Sequence, residues 1–244
     1  MPILEAREVS VRFGGNMAVD DVTVDVEEGA ITGLIGPNGA GKTTLFNVIT
    51  GLQPPTHGRV VLGGDDITKK SAHRRARLGI ARTFQRLELF GSLSVRDNVL
   101  TAAELNRDDG QEPDDVTDGL LDRVGLGDLA AQRADALSTG NARLVELARA
   151  LACRPRVLLL DEPASGLDEE ETDRFARILL DLTNDGLAIL LVEHDVPLVM
   201  RLCHHITVLN FGRVLAQGGP TEIQSDESVV EAYLGQGPEM GANE

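Results

Sequence analysis

Lys42 is one of only three lysines among 244 residues, and it stands where an ammonium group can do chemistry. It falls in the run Gly36-Pro37-Asn38-Gly39-Ala40-Gly41-Lys42-Thr43-Thr44, which has the form G-x-x-x-x-G-K-[ST]. Glycine accepts left-handed backbone, so such a loop can turn several N–H groups toward one anion. A helix starting at Lys42 would add the positive end of its dipole. The pattern makes Gly36, Asn38, Gly39, Ala40, Gly41, Lys42, Thr43 and Thr44 a phosphate cradle. Lys42 would neutralise β- and γ-phosphate charge, and the Thr43 hydroxyl would ligate Mg2+. The bland alternative is a glycine-rich turn with a chance lysine, and the scarcity of lysine argues against it.

A second constellation follows the run Val157-Leu158-Leu159-Leu160, which ends in Asp161-Glu162. In an open α/β sheet, ligands lie at the carboxyl edge of the strands. Asp161 would join the coordination shell of the metal. Side chains alternate along a strand, so Glu162 points elsewhere and can orient or deprotonate an attacking water. Alone, an acidic pair ending a strand is as readily structural; behind a phosphate loop it reads as hydrolytic. A guanine-reading Asn-Lys-x-Asp element is excluded, because no lysine follows Lys70.

The elements that must position these groups are legible from apolar patterning. Residues 22–26 alternate as Val-Thr-Val-Asp-Val, and Glu27-Glu28-Gly29 turns the chain into Ala30-Ile31-Thr32-Gly33-Leu34-Ile35. That strand feeds the glycine loop and a helix over Lys42–Thr50. Val157–Leu160 and Ala188–Val192, the latter ending at Glu193, are continuous apolar runs suited to strands buried on both faces of a parallel sheet. Helical pattern lies between them, as crossover connections require. From about Arg86 to Leu137 the pattern is helical and broken by Gly125 and Gly127. Within it, Glu104–Asp118 holds seven acids and one arginine and reads as a solvated connection.

Charge narrows the function. With 39 acidic and 23 basic residues the net charge is −16, and the basic set is 20 arginines and three lysines. One tyrosine and no tryptophan leave little stacking surface, so nucleic acid is not an expected partner. No apolar run approaches the ~18–20 residues needed to cross a bilayer. The N-terminus Met1-Pro2-Ile3-Leu4-Glu5 lacks a basic start and an apolar signal core, so secretion is not expected. Cys153 and Cys203 suit a reducing cytoplasm.

Taken in order, the motifs resemble those of the ATP-binding subunits of ABC transporters over residues 3–234. They are the loop at Gly36–Thr44, Gln85 in Thr83-Phe84-Gln85, Leu137-Ser138-Thr139-Gly140-Asn141, Asp161-Glu162, Ser165-Gly166-Leu167-Asp168, and His194 after a strand. The resemblance implies an α/β fold: a P-loop NTPase core, its sheet mostly parallel with antiparallel β segments at the N-terminus, and an inserted helical subdomain. Residues 1–86 and 138–234 would form the two parts of the ATP-binding core, 87–137 the helical subdomain, and 235–244 a frayed tail.

The resemblance also implies roles. Glu162, His194 and Lys42 would be catalytic, with His194 on the γ-phosphate; on its own a histidine after a strand is more often structural. Thr43, Gln85 and Asp161 would hold Mg2+. Phe13 would stack on adenine, core packing being its alternative. Ser138 and the N–H groups near Gly140 would clamp the γ-phosphate bound by a second ATPase subunit, a copy or a relative of this chain. Asp168 lies where the family crosses between subunits. The usual Leu-Ser-Gly-Gly-Gln is altered at Thr139, which puts a β-branched residue at a tight turn, and at Asn141. Ser138 and Gly140 remain, which implies a working clamp and leaves the ATP affinity of the dimer open. The implied ligands are ATP and Mg2+. The implied partners are that second subunit, membrane permeases and, indirectly, a solute-binding protein, at the cytoplasmic face of the cell membrane.

Closer resemblance is to the branched-chain amino-acid importer group. It rests on Gly33–Asn47, Ala81–Gln85 with Leu89-Phe90 and Leu93-Ser94-Val95, Leu191–Asp195 with Leu198-Val199-Met200, and Val229–Gly235. Importers of urea or small amides and a lipopolysaccharide-export ATPase share much of this pattern. A soluble assembly ATPase and a nucleotide-gated interaction protein are the competing functions.

Overall fold

A computed structural model of the chain describes residues 2–107 and 110–234; the expected tail at 235–244 lies outside the described residues. β1 (Leu4–Phe13) and β2 (Asn16–Val26) form an antiparallel hairpin, and β3 (Ile31–Ile35) runs through the glycine loop into α1 (Lys42–Thr50). β4 (His57–Leu62) and β5 (Asp65–Asp66) return to the hairpin, giving a sheet of order β2-β1-β4-β5. Next come α2 (Ala72–Arg77), β6 (Ile80–Arg82), α3 (Val95–Leu105), α4 (Pro113–Val124) and α5 (Thr139–Ala152). β7 (Val157–Asp161), α6 (Glu169–Asn184), β8 (Ala188–Val192) and α7 (Val196–Leu202) alternate. β9 (His205–Asn210), β10 (Arg213–Gly218), α8 (Pro220–Ser225) and α9 (Glu227–Leu234) complete the described chain.

The second sheet has the order β10-β9-β3-β8-β7-β6 and is parallel everywhere except between β9 and β10. Its central strands are buried on both faces, and their side chains divide by the two-residue period. Leu158, Leu160, Ile189 and Leu191 pack on the side that carries α3 to α7. Val157, Leu159, Leu190 and Val192 pack with α1 and the hairpin sheet on the other side. This is why those runs are continuously apolar. The antiparallel N-terminal strands and the mostly parallel sheet are as expected from the sequence. Among the described residues no helix is long and apolar enough to cross a membrane.

Between β6 and β7 the chain is helical, but the acidic segment differs from its expectation. Its second half is the start of α4 rather than a solvated connection. Pro113 opens that helix, and Asp114 and Asp115 in the first turn complement its dipole. Asp114 and Asp118 also receive the Arg96 guanidinium of α3 at 2.7 and 2.8 Å. Acids that looked merely solvating thus complement the dipole of one helix and tie it to another. Gly125, at φ +70°, ends α4.

Candidate nucleotide and hydrolysis site

β3 delivers the glycine loop at the carboxyl edge of the parallel sheet. Gly36 has φ +149°, and a Cβ there would strike the Leu209 carbonyl oxygen. Gly41, at φ +104°, caps α1, and a Cβ on it would come within 2.6 Å of the Ala18 carbonyl oxygen. The loop is therefore clamped between β2 and β9 at positions only glycine can fill. The first N–H groups of α1 have no partner within the helix and lie in this loop. Lys42 folds its ammonium back over the same loop, donating to Gly36 O at 2.6 Å and Pro37 O at 3.1 Å. Burial lowers its pKa, opposed by the nearby charges of Glu162 and Asp161.

Asp161 ends β7 with its side chain only 10% exposed. Its Oδ2 accepts from Arg82 Nη2 at 2.7 Å. Glu162 then adopts φ +50°, a left-handed conformation rare for a residue with a side chain, while its N–H still donates to Val192 O at 2.9 Å. That turn brings the carboxylate against two residues distant in sequence. Gln85 Nε2 donates to Glu162 Oε2 at 2.6 Å, and His194 Nδ1 lies 3.3 Å from Oε1. Backbone strain at such a position is a recurrent mark of functional sites.

Three residues that the sequence reading left without roles hold this constellation. Glu193 is 2% exposed, accepting from Ala164 N at 2.8 Å and from His194 N at 3.2 Å. It fixes the turn after β7 to the end of β8, and burial pushes its pKa up against those N–H bonds. Its signal was an acid flush with an apolar strand. Arg143, on α5, donates to Phe84 O at 3.0 Å and Gln85 O at 2.6 Å, and pairs with buried Glu146 at 3.0 Å. Its signal was a charge at a helix position that falls inside the core. Arg82 preceded Gln85 in a motif noted only for resemblance.

Ser138 and Gly140 are not brought into this cluster. Ser138 caps α5, its Oγ accepting from Asn141 N and donating to Glu171 Oε1, both at 3.3 Å. Thr139 is not in a tight turn but in the first turn of α5, so its β-branch is accommodated. The constraint lies at Gly140, where a Cβ would collide with the Glu171 carboxylate. Asp168 caps α6 in a reciprocal box with Glu171. Leu144, Leu147, Ala148 and Leu151 are all buried, as the helical pattern indicated. Phe13 ends β1 at the hairpin tip, 49% exposed rather than packed in the core.

A glycine loop, a strand-end carboxylate and a doubly held glutamate at one sheet edge agree with what comparison finds. Residues 19–165 match the family model described as ABC transporter. The chain belongs to the ABC transporter family as an ATP-binding subunit. Residues 213–239 match the C-terminal segment of the branched-chain amino acid ATP-binding cassette transporter. The high-affinity branched-chain amino acid transport ATP-binding protein BraF of Pseudomonas aeruginosa is 40% identical, covering 96% of this chain and 98% of that protein. The lipopolysaccharide export system ATP-binding protein LptB of Escherichia coli is 37% identical, covering 97% and 98%. Among solved structures, the ADP conformation of the ATP-binding cassette MJ1267 superposes with TM-score 0.88 and 31% identity, covering 96% and 99%.

Proposed function

We propose that this ABC subunit hydrolyses ATP to drive an importer of branched-chain amino acids or similar small solutes. The observation that carries the hydrolytic reading is the convergence of Gln85 and His194 on the two oxygens of Glu162, beside the phosphate loop. Gly36–Thr44 would cradle the phosphates, and Lys42 would leave its loop carbonyls to meet them. Phe13 is exposed and available to stack on adenine. Glu162 would take a proton from water as the water oxygen bonds to the γ-phosphorus and the bond to the ADP oxygen breaks. Gln85 and His194 would hold that carboxylate in one orientation, and the half-exposed His194 ring can also face the γ-phosphate.

Thr43, Gln85 and Asp161 would hold Mg2+. A hydroxyl, an amide oxygen and a carboxylate suit a hard cation that keeps waters and phosphate oxygens as its other ligands. Among the described residues no three His, Cys, Asp or Glu side chains cluster to hold a metal by themselves, which fits a site with few protein ligands. When bound, the ion neutralises phosphate charge.

Ser138 caps α5 through local hydrogen bonds, and the helix N-terminus with Gly140 would be offered to a second subunit, the same chain or a related one, whose bound γ-phosphate it would clamp. A permease is the second partner. A groove of about 620 Å³ lies between α2, β6, α3 and α5, with Phe84, Phe90, Leu52 and Leu105 exposed along it. Apolar surface beside Gln85 supports this as the docking face. Residues 87–137 would move as the helical subdomain between core parts 1–86 and 138–234. The subunit would sit at the cytoplasmic face, held by the permease and served indirectly by a solute-binding protein. Its charge of −16 opposes a nucleic-acid role.

The test is reconstitution in proteoliposomes with a permease that co-purifies with the chain. Leucine uptake that requires ATP on the chain's side, with ATP turnover raised by the permease, supports the proposal. Turnover indifferent to the permease, or ATP-driven lipopolysaccharide release in place of uptake, overturns it.

A further inference from the structure

Arg82 joins three parts of the molecule that the proposed mechanism treats separately. Its side chain is 8% exposed, at the end of β6. Nη2 donates to Asp161 Oδ2 at 2.7 Å, and Nη1 donates to Asn47 Oδ1 at 2.7 Å. Asn47 lies four residues beyond Thr43 on α1 and hence on the same helix face. One guanidinium therefore fixes the carriers of two of the three proposed metal ligands, Thr43 and Asp161. Its Nε is buried without a partner, so only the forked end nitrogens and ring packing set its place. The guanidinium carbon lies 5.4 Å from the Phe46 ring centroid and 5.0 Å from that of Phe84. Phe46 is wholly buried, whereas Phe84 is 44% exposed and lines the groove. Phe84 is thus the exposed wall of a slot whose other wall is buried.

We propose that Arg82 is a positioning residue that sets Asp161 and the Thr43-bearing helix for magnesium, and that Phe84 relays occupation of the groove to this pair. A planar fork is needed, because only guanidinium can serve a carboxylate and an amide while stacking between two rings. A permease segment seated in the groove would press on Phe84 and shift the plate beneath it and, with it, the free oxygen of Asp161. The groove then acts on the metal carboxylate directly, besides any effect through Gln85. This inference rests on the reading of Asp161 as a magnesium ligand.

The test measures binding of a fluorescent N-methylanthraniloyl-ATP to the purified full chain while Mg2+ is titrated, and again in EDTA. Arg82→Lys should raise the half-saturating Mg2+ about tenfold or more, the scale of losing a residue that orients a ligand, with affinity in EDTA unchanged. Phe84→Ala should shift it in the same direction by about twofold. Phe90→Ala, in the same groove but stacked 4.9 Å over Arg149 instead, should not shift it. Should Arg82→Lys fail to fold, the contrast between the two phenylalanine variants decides. Equal magnesium requirements in Arg82→Lys and the unaltered chain, with Asp161→Asn shifted, would overturn the role of Arg82 and the relay through it while leaving the metal assignment standing. Equal shifts in Phe84→Ala and Phe90→Ala would overturn the relay. An unshifted Asp161→Asn would instead overturn the metal assignment beneath both.

Discussion

The side-chain amide of Gln85 donates to the Glu162 carboxylate at 2.6 Å across 77 positions of sequence. The contact exists because β6 and β7 are adjacent and parallel, so their following turns meet at one edge. Arg143 pins the backbone of the Gln85 loop from α5. The proposed water-activating group and the proposed clamp helix are therefore mechanically joined within one chain. Gln85→Ala should lower turnover about tenfold, through loss of one charge-assisted hydrogen bond, and raise the Mg2+ needed for ATP binding while leaving affinity in EDTA unchanged. Steady-state hydrolysis and equilibrium binding on the same preparation check this.

Lys42 already satisfies its ammonium on two loop carbonyls. Phosphate must therefore compete with those bonds, and the gain is the added charge pairing alone. Lys42→Ala should weaken ATP binding roughly tenfold to a hundredfold, corresponding to about 1.5–3 kcal/mol. Calorimetric affinity equal to that of the unaltered chain would contradict the loop assignment.

Ser138 has a local role and a proposed remote one. Ser138→Ala removes the cap of α5 and should cost about 1 kcal/mol of stability. It should also abolish ATP-induced pairing in sedimentation while leaving nucleotide binding to the single subunit intact. Pairing at an unchanged ATP concentration would confine Ser138 to capping.

Glu193 yields a pH signature. Burial raises its folded-state pKa above the ordinary value of 4.5, so between those two values the folded chain binds more protons than the unfolded one. Its contribution therefore favours folding at low pH and is lost as pH rises through the folded pKa. Glu193→Gln should gain stability relative to the unaltered chain as pH rises from about 4.5 to neutrality. Chemical denaturation at several pH values reads this difference; a pH-independent difference would contradict the buried-carboxyl account.

Much of this was legible in the sequence because short-range rules dictate it. The glycine spacing at Gly36–Gly41, the doubly buried strands before Asp161 and Glu193, and the apolar face of α5 each follow from local periodicity. What was not legible depends on long-range register. Arg82 and Arg143 look like ordinary charges until the sheet order places Asp161 and the Gln85 loop beside them. The acidic stretch around Asp114 was misread for the same reason, since Arg96 becomes its partner only when α3 and α4 pack. Thr139 was read at a tight turn, whereas Ser138 caps α5 and Thr139 is the first residue of that helix.

Glu162→Gln tests the central claim most directly. The amide keeps the size of the side chain but cannot accept a proton from water. ATP turnover should fall at least ~10²-fold, as expected for removal of a general base, while ATP affinity is preserved. Turnover equal to that of the unaltered chain, at the same ATP occupancy, would contradict the assignment of hydrolysis to this carboxylate.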